Sequence, residues 1–236
     1  MGWSLAEPTL AANELAFNNT THSPTKRIRI SQESQPHLGD FDANVLGFID
    51  AIQTKQTAAE YYGYNQQNDA SFSGAFNLLS NTSHLFLVDA ADGLSLFVVH
   101  DRPQDSGWGR ASMQVDLLGD DADLLVMDDS PQYDRYIAQD STFLIQHGWG
   151  TCCTDGFALG ALENDWQTLL QFTQAPIGLQ SWQAFADSNT TPIDLELAVH
   201  QRVRLDWVED AETIPEPSTL IGLMVLGIVG LLTRKH

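Results

Sequence analysis

The chain has 236 residues, of which 31 are Asp or Glu and 11 are Lys or Arg, so its formal net charge is −20 with neutral histidines. This acidity excludes a nucleic-acid partner bound by phosphate neutralisation, because such a surface must be basic. A hydrophobic fraction of 43% and six tryptophans exclude a wholly disordered chain, and the length suits one or two domains.

The N-terminal segment, residues 1–39, is predicted to be loosely ordered, because it is polar and lacks a periodic pattern. Its one regular piece is Arg-Ile-Arg-Ile at residues 27–30, whose alternation predicts a short edge strand. Residues 1–20 lack both a basic n-region and an uninterrupted apolar stretch, so they do not form a signal peptide. For an exported chain we therefore expect an internal recorded start or a truncated gene product.

A short helix is predicted next. Asp40 is its candidate N-cap, and the helix ends near the polar segment at residues 61–71. The apolar residues whose spacing places them on one helical face are Val45, Leu46, Ile49 and Ile52.

Short apolar runs separated by turn residues predict strands over the rest of the body. Residues 84–90 and 94–100 flank Asp92-Gly93, which predicts a hairpin. The other predicted strands are residues 111–118, 122–128, 141–147, 155–162, 166–172, 181–187 and 193–208. Their alternation indicates one buried and one solvated face. The sequence therefore predicts a mainly β fold, an antiparallel β-sandwich, over residues 40–209.

The C-terminus carries a different pattern. Residues 220–232 have no polar side chain, and we expect residues 218–233 to form a hydrophobic transmembrane helix. At ~1.5 Å per residue it would measure roughly 24 Å, somewhat less than the ~30 Å hydrocarbon core. Arg234 and Lys235 follow at once, and positive charge beside a membrane segment stays cytoplasmic.

A linker at residues 210–217 precedes this helix and contains Pro215, Glu216 and Pro217. Because no helix interior accepts two such prolines, they separate the body from residues 218–236. A permanent single-span anchor and a buried C-terminal helix are the competing interpretations of the apolar stretch.

The order of Pro-Glu-Pro, short apolar helix and basic end resembles the PEP-CTERM sorting signal of Gram-negative bacteria that make exopolysaccharide. The resemblance covers residues 215–236. It implies that a membrane protease-transpeptidase, exosortase, recognises the tripeptide and cuts near it, and that Arg234 and Lys235 hold the precursor in the inner membrane. The processed protein would then reach the cell surface or the extracellular space.

The body resembles uncharacterised PEP-CTERM exported domains at Tyr61-Tyr62, His100-Asp101 and residues 152–156. This second resemblance implies no activity.

The two cysteines, Cys152 and Cys153, are adjacent. Outside the cytoplasm they can form a vicinal disulfide that stiffens a turn, although bridging neighbours strains the peptide between them. Two unpaired thiols are an alternative interpretation. A metal or redox site is a third, but His147 is the sole nearby imidazole and a structural zinc ion takes four ligands.

A run of acidic residues offers oxygen ligands for Ca²⁺. Its members are Asp120, Asp121, Asp123, Asp128 and Asp129. Because their spacing matches no EF-hand loop, two acidic turns flanking one strand are the competing interpretation. Asp101, Asp105 and Asp134 are candidates to join such a site.

Motifs for catalysis are not found: the sequence has no G-x-S-x-G and no H-E-x-x-H, and its histidines are scattered. We therefore expect a non-enzymatic exported protein with a structural or adhesive role and with exopolysaccharide as a partner. The alternatives are a lectin-like, Ca²⁺-dependent carbohydrate-binding module and a secreted hydrolase.

Overall fold

A computed structural model describes residues 26–64, 72–105, 107–119, 122–129, 134–162, 166–186 and 190–209, and this part of the chain is mainly β. Its helices are a short 3-10 helix (Phe41–Ala43) and α1 (Ala58–Tyr62). Its first strands are β1 (Lys26–Gln32), β2 (Val45–Ile49), β3 (Ile52–Gln53), β4 (Thr82–Ala90), β5 (Gly93–His100), β6 (Gly109–Leu118) and β7 (Asp123–Met127). Its later strands are β8 (Arg135–Gln139), β9 (Thr142–Trp149), β10 (Asp155–Leu162), β11 (Gln167–Phe172), β12 (Ser181–Phe185), β13 (Ile193–Leu195) and β14 (Val203–Glu209). The predicted linker and sorting helix lie outside the described residues.

The strands form two sheets. The first sheet has the order β2-β1-β14-β11-β6-β9-β8, and all its pairings are antiparallel. The second sheet has the order β13-β12-β4-β5-β10-β7, with β3 also paired to β4. This sheet is mixed, because β3 and β12 both run parallel to β4.

One apolar core is shared by the two sheets. The first sheet contributes residues such as Ile28, Val115 and Ile145, and the second sheet contributes residues such as Leu87, Val98 and Phe157. Side chains of alternate residues on each strand reach this core, as the period of two requires. The arrangement is that of a sandwich, whose antiparallel pairings predominate but are not exclusive.

A second core covers the outer face of the second sheet. Here α1 packs against the outward-facing aromatic residues of β4 and β5, Phe86 and Phe97. Both faces of β4 are therefore buried, which explains its nearly unbroken apolar sequence. A capping box of Thr57 and Glu60 starts α1, and Gly63 ends it with a φ of 68°. No helix within the described ranges combines the length and hydrophobicity that a membrane span requires.

Residues 1–39 were predicted to be loosely ordered, but residues 26–32 of this segment form the strand β1. β1 lies between β2 and β14 and is thus an interior strand, not an edge strand. Ile28 and Ile30 are fully buried. After β1, the buried carboxylate of Glu33 receives two hydrogen bonds from the Arg202 guanidinium, which anchors this end of the strand next to β14.

The helix predicted from Val45, Leu46, Ile49 and Ile52 is wrong, because these residues lie in β2 and β3. Val45 and Leu46 are exposed on the edge strand, and Ile49 is buried opposite Ile28. A short apolar run fits either period, and here pairing with β1 decides between them. The one α-helix described, α1, lies farther along the chain.

The predicted strands of the body correspond to observed ones, with two differences. Residues 84–90 and 94–100 form the hairpin of β4 and β5. The strand predicted over residues 193–208 is divided into β13 and β14, because the chain turns at His200, whose φ is 63°. β8 was not predicted, since the three apolar residues of its sequence RYIAQ are consecutive and do not alternate with polar ones.

Candidate functional site

Polar side chains lie at one end of the core between the sheets, where apolar residues would be expected. They come from β4, β5 and β10 of the second sheet and from β8, β9 and the residue before β8 in the first. We call the following residues the interior polar cluster: Ser83, His100, Asp134, Tyr136, His147 and Asp155. Tyr136 is half-buried, and each of the others is at most 3% exposed.

Strand alternation places His147 in this cluster. The core-facing residues of β9 are Phe143, Ile145, His147 and Trp149, and those between them are exposed. An imidazole thus occupies a row of otherwise apolar side chains. Its ring centroid lies 5.7 Å from that of Phe157 in the opposite sheet.

Strand register brings the second sheet's contribution together. Asp155 begins β10 and lies opposite His100 on β5, which in turn lies opposite Ser83 on β4. Residues directly opposite each other in neighbouring strands project from the same face of a sheet. The Nδ1 of His100 is 3.1 Å from the Ser83 hydroxyl, and its ring centroid is 5.3 Å from that of His147.

Three of these side chains converge most closely. One potential ligand atom each from Asp134, His147 and Asp155 lies within 4.8 Å of the other two. The Nε2 of His147 is 3.9 Å from Oδ1 of Asp155 and 3.0 Å from the hydroxyl oxygen of Tyr136. The same hydroxyl group lies 3.2 Å from Oδ2 of Asp134, to which it can donate.

Backbone amides hold the two carboxyl groups in place. The amide of Gly148 donates to Oδ2 of Asp155 at 2.9 Å and to Oδ1 of Asp134 at 3.3 Å. The amide of Gly156 donates to Oδ1 of Asp155 at 2.7 Å. Positioned by main chain as well as by side chains, the carboxyl groups have little freedom to turn away from each other.

The electrostatics of the cluster are those of acids without a basic partner. Burial raises the pKa of Asp134 to about 6, even though a hydrogen bond with Asp155 opposes the shift. Burial, followed by the charges of Asp134 and Asp128, raises the pKa of Asp155 well above its usual range. Every Lys or Arg ion pair among the described residues uses a carboxylate outside the cluster, namely Glu33, Asp42, Asp50 or Asp206.

The imidazole of His147 is neutral. Burial, with a smaller contribution from His100, holds the pKa of His147 well below its usual range. A neutral imidazole has a nitrogen lone pair, which is the form that binds metal ions. The cluster therefore offers two oxygen donors and one nitrogen donor in a site closed to solvent.

Asp128 extends the acidic environment of the cluster towards α1. Its Oδ2 accepts a hydrogen bond of 2.6 Å from the buried Tyr62 hydroxyl, and its backbone amide donates to the Tyr136 hydroxyl at 3.2 Å. Burial raises the pKa of Asp128 to about 8. Its other oxygen, Oδ1, is buried and has no hydrogen-bond partner among the described residues.

Comparison with protein families concerns the opposite end of the chain from β1. Residues 213–235 match the family model of the PEP-CTERM protein-sorting motif. The chain carries a PEP-CTERM sorting motif. Neither a curated protein nor a solved structure matches the chain.

The PEP-CTERM motif confirms the interpretation of the C-terminal sequence as a sorting signal. The matched residues include Pro215, Glu216, Pro217, Arg234 and Lys235. Such a signal implies export, with a membrane-anchored precursor that exosortase processes. These five residues lie outside the described residues, and their roles in recognition and retention stay predictions.

The structure joins Cys152 and Cys153 by a disulfide, which was one of the three alternatives from sequence. The bridge lies in the turn between β9 and β10, where the amide of Cys153 donates to the Gly150 carbonyl oxygen. The amide of Gln104 donates to the Cys152 carbonyl oxygen. This turn connects the strand of His147 to that of Asp155, so a rigid turn would limit the movement of these two residues relative to each other.

The predicted Ca²⁺ ligands do not all meet. Asp123 is exposed at the start of β7, whereas Asp128 is buried just after its end, about 17 Å along an extended strand. Asp129 accepts a hydrogen bond from Tyr64. Asp120 and Asp121 lie outside the described residues.

Of the three further aspartates named from sequence, Asp134 alone belongs to the interior polar cluster. Asp101 accepts hydrogen bonds from the Asn81 amide and the Trp149 indole, and Asp105 accepts one from the Gly107 amide. Sequence reasoning missed Asp155. The sequence signal that could have identified it was the position of His147, which faces inward on an alternating strand, followed by Asp155 as the first residue of the next strand.

Proposed function

We propose that the chain is an exported, non-enzymatic β-sandwich protein that exosortase processes and that serves as a structural or adhesive component of the cell surface or extracellular matrix. The PEP-CTERM motif carries this proposal. It begins at residue 213, shortly after β14, the last strand among the described residues, ends at Glu209.

The position of the polar groups supports a role other than catalysis. A hydrolase must bring its acid and base to a substrate in an accessible cleft. Asp134, His147 and Asp155 are each at most 3% exposed, so a macromolecular substrate has no access to them. One open cleft, lined by Phe72, Phe76 and Arg102, has no acid–base pair among its described lining residues.

Exopolysaccharide is the proposed partner of the mature protein, on the strength of the sorting signal. The alternative, a Ca²⁺-dependent lectin, draws less support, since Asp123 and Asp128 lie at opposite ends of β7. Retention on host exopolysaccharide distinguishes the two functions. We expect retention that a Ca²⁺ chelator leaves unchanged, and loss of retention in chelator would favour the lectin.

The mass of the mature protein from its native host tests the processing step. We expect a product that ends near Pro215-Glu216-Pro217, recovered from the surface or the medium. Substituting alanine for all three residues should leave a full-length precursor in the inner membrane. Glu196→Ala, at an exposed glutamate of the body, is the control and should be processed normally. Recovery of the unsubstituted protein intact to His236 in the membrane would overturn the proposal in favour of a permanent anchor.

A further inference from the structure

Two buried polar atoms, one in the interior polar cluster and one on Asp128, have no hydrogen-bond partner among the described residues. His100 is fully buried, and its Nε2 has no hydrogen-bond partner among the described residues. An orphaned polar atom in a protein interior costs free energy and therefore calls for an explanation. The same holds for Oδ1 of Asp128, on a residue that is 1% exposed.

The free nitrogen of His100 points towards β10, the strand of Asp155. Its Nδ1 is occupied by Ser83 on β4, and the two nitrogens of an imidazole point in widely different directions. Nε2 therefore faces away from β4, towards the side of β5 on which Asp155 of β10 lies. The His147 ring, 5.3 Å away between centroids, bounds the same space from the first sheet.

No Lys or Arg among the described residues forms an ion pair with Asp134 or Asp155. Asp134 and Asp155 accept hydrogen bonds from backbone amides, and Oδ1 of Asp155 lies 3.9 Å from Nε2 of His147. Buried carboxylates are normally paired with a cation or bound to a metal ion. A divalent ion would give these two carboxyl groups a cationic partner and would bind the unpartnered nitrogen of His100.

We propose that Asp134, His147 and Asp155 bind one divalent transition-metal ion of the zinc type, and that Nε2 of His100, which lies outside their 4.8 Å group, moves in as the fourth donor. Two imidazoles and two carboxylates suit Zn²⁺ and its neighbours, whereas Ca²⁺ and Mg²⁺ prefer oxygen ligands alone. Bonds of ~2.0–2.1 Å in a tetrahedron place ligand atoms roughly 3.3 Å apart. The 3.9 Å between His147 Nε2 and Asp155 Oδ1 is therefore within a small side-chain adjustment of a bound geometry.

The site is structural in character. Asp134 and His147 belong to the first sheet, whereas His100 and Asp155 belong to the second. One ion would cross-link the two sheets at the end of the core, next to the turn that holds the disulfide. Closed sites with four protein ligands are typical of structural zinc, since catalytic sites keep an open position.

Metal binding by the full chain, purified in detergent and stripped with chelator, tests the proposal. We expect one Zn²⁺ per chain after dialysis, measured by elemental analysis. The thermal unfolding midpoint should rise by roughly 5–10 °C when free Zn²⁺ exceeds its Kd by about 100-fold, because the ion binds only the folded state. Mg²⁺ and Ca²⁺ at equal concentration should not reproduce the shift.

Cobalt provides a readout that needs no variant. Co²⁺ in the same site should give the visible absorption bands of tetrahedral nitrogen and oxygen coordination, without a thiolate charge-transfer band. A thiolate band would place the ion on Cys152 and Cys153 and overturn the assignment. Failure of the unsubstituted chain to bind Zn²⁺ or Co²⁺ would also overturn it and leave a proton-sharing carboxyl pair.

Conservative variants locate the site. Asp155→Asn and Asp134→Asn keep the side-chain shape, and each should weaken Zn²⁺ binding by roughly 100-fold or more, while the far-ultraviolet circular dichroism stays that of a β protein. Asp123→Asn, at an exposed residue outside the cluster, should bind as the unsubstituted chain does. Unchanged binding in both folded cluster variants would contradict the proposal. Processing at the sorting motif is independent of this outcome.

Discussion

His84 shows how a buried histidine is fixed in one protonation state. The Leu79 amide donates to its Nε2 at 2.8 Å, and its Nδ1 lies 3.0 Å from the Val99 carbonyl oxygen. Because Nε2 accepts, Nδ1 carries the hydrogen and donates to that carbonyl. The ring packs against Phe76 and Phe185, which are uncharged, on the outer face of the second sheet. Burial lowers the pKa of His84 to about 4.

This depressed pKa makes the stability contribution of His84 pH-dependent. The unfolded histidine titrates near 6.5, so protonation favours the unfolded state as the pH falls from about 6.5 to about 4. The contribution is complete above pH 6.5 and is lost through that window, up to about 3 kcal/mol. The charge of a protonated His84 also contributes, after burial, to the lowered pKa of His100, which lies on the opposite face of the sheet.

His84→Asn should therefore reduce the loss of stability between pH 7.5 and pH 4.5. An asparagine retains one donor and one acceptor but does not titrate. Urea unfolding of both proteins at the two pH values gives the comparison. His200→Asn, at an exposed histidine, is the control and should lose as much stability as the unsubstituted protein. An equal loss in His84→Asn would show that the imidazole does not contribute.

At the level of elements, the antiparallel pairing of β6 with β9 depends on a glycine. Gly109 lies opposite Trp149 in the register of the two strands. A Cβ at Gly109 would lie 2.1 Å from Cζ2 of Trp149 and 2.7 Å from the Ile177 carbonyl oxygen. The indole is held in place, because it stacks on His100 and donates to Asp101. A shift of the indole would therefore disturb both of these contacts.

Gly109→Ala should destabilise the protein by about 2 kcal/mol, because the added methyl group overpacks a fixed contact. Gly150→Ala is a matched control, since a Cβ there meets nothing within 4 Å and the change in unfolded-chain entropy is the same. Urea denaturation of the two variants measures the difference. Equal stability of the two variants would mean that Trp149 yields to the methyl group at little cost.

Local sequence pattern predicted most strands of this fold but not every element. β4 and β5 were predicted because Asp92-Gly93 punctuates two apolar runs. The error at β2 has a physical cause: Val45 and Leu46 are exposed on an edge, so their apparent helical face is not a buried face. The pairing of Ile49 with Ile28 spans residues far apart in sequence, and periodicity does not report it.

At the scale of the whole molecule, the interior polar cluster lay beyond sequence reasoning for the same reason. Asp134 and His147 were each recognised, but as separate residues. Their approach to Asp155 and His100 requires two sheets to face each other, with β9 in one and β10 in the other. By contrast, the sorting motif is contiguous, and residues 213–235 could be identified without a fold.

The body and the sorting tail are expected to be thermodynamically separate. β14, the last strand among the described residues, pairs with β1 and β11 within the first sheet and ends at Glu209, before the matched motif begins. A chain that stops after residue 212 should therefore unfold within about 2 °C of the full chain in the same detergent, as surface changes do. Thermal unfolding followed by tryptophan fluorescence measures both midpoints.

A chain shortened to residue 202, which lacks β14, is the control and should not fold, because Val203 and Leu205 are fully buried. A clearly lower midpoint for the 212-residue chain would mean that the apolar tail packs against the body, and processing would then have to remove part of the folded protein.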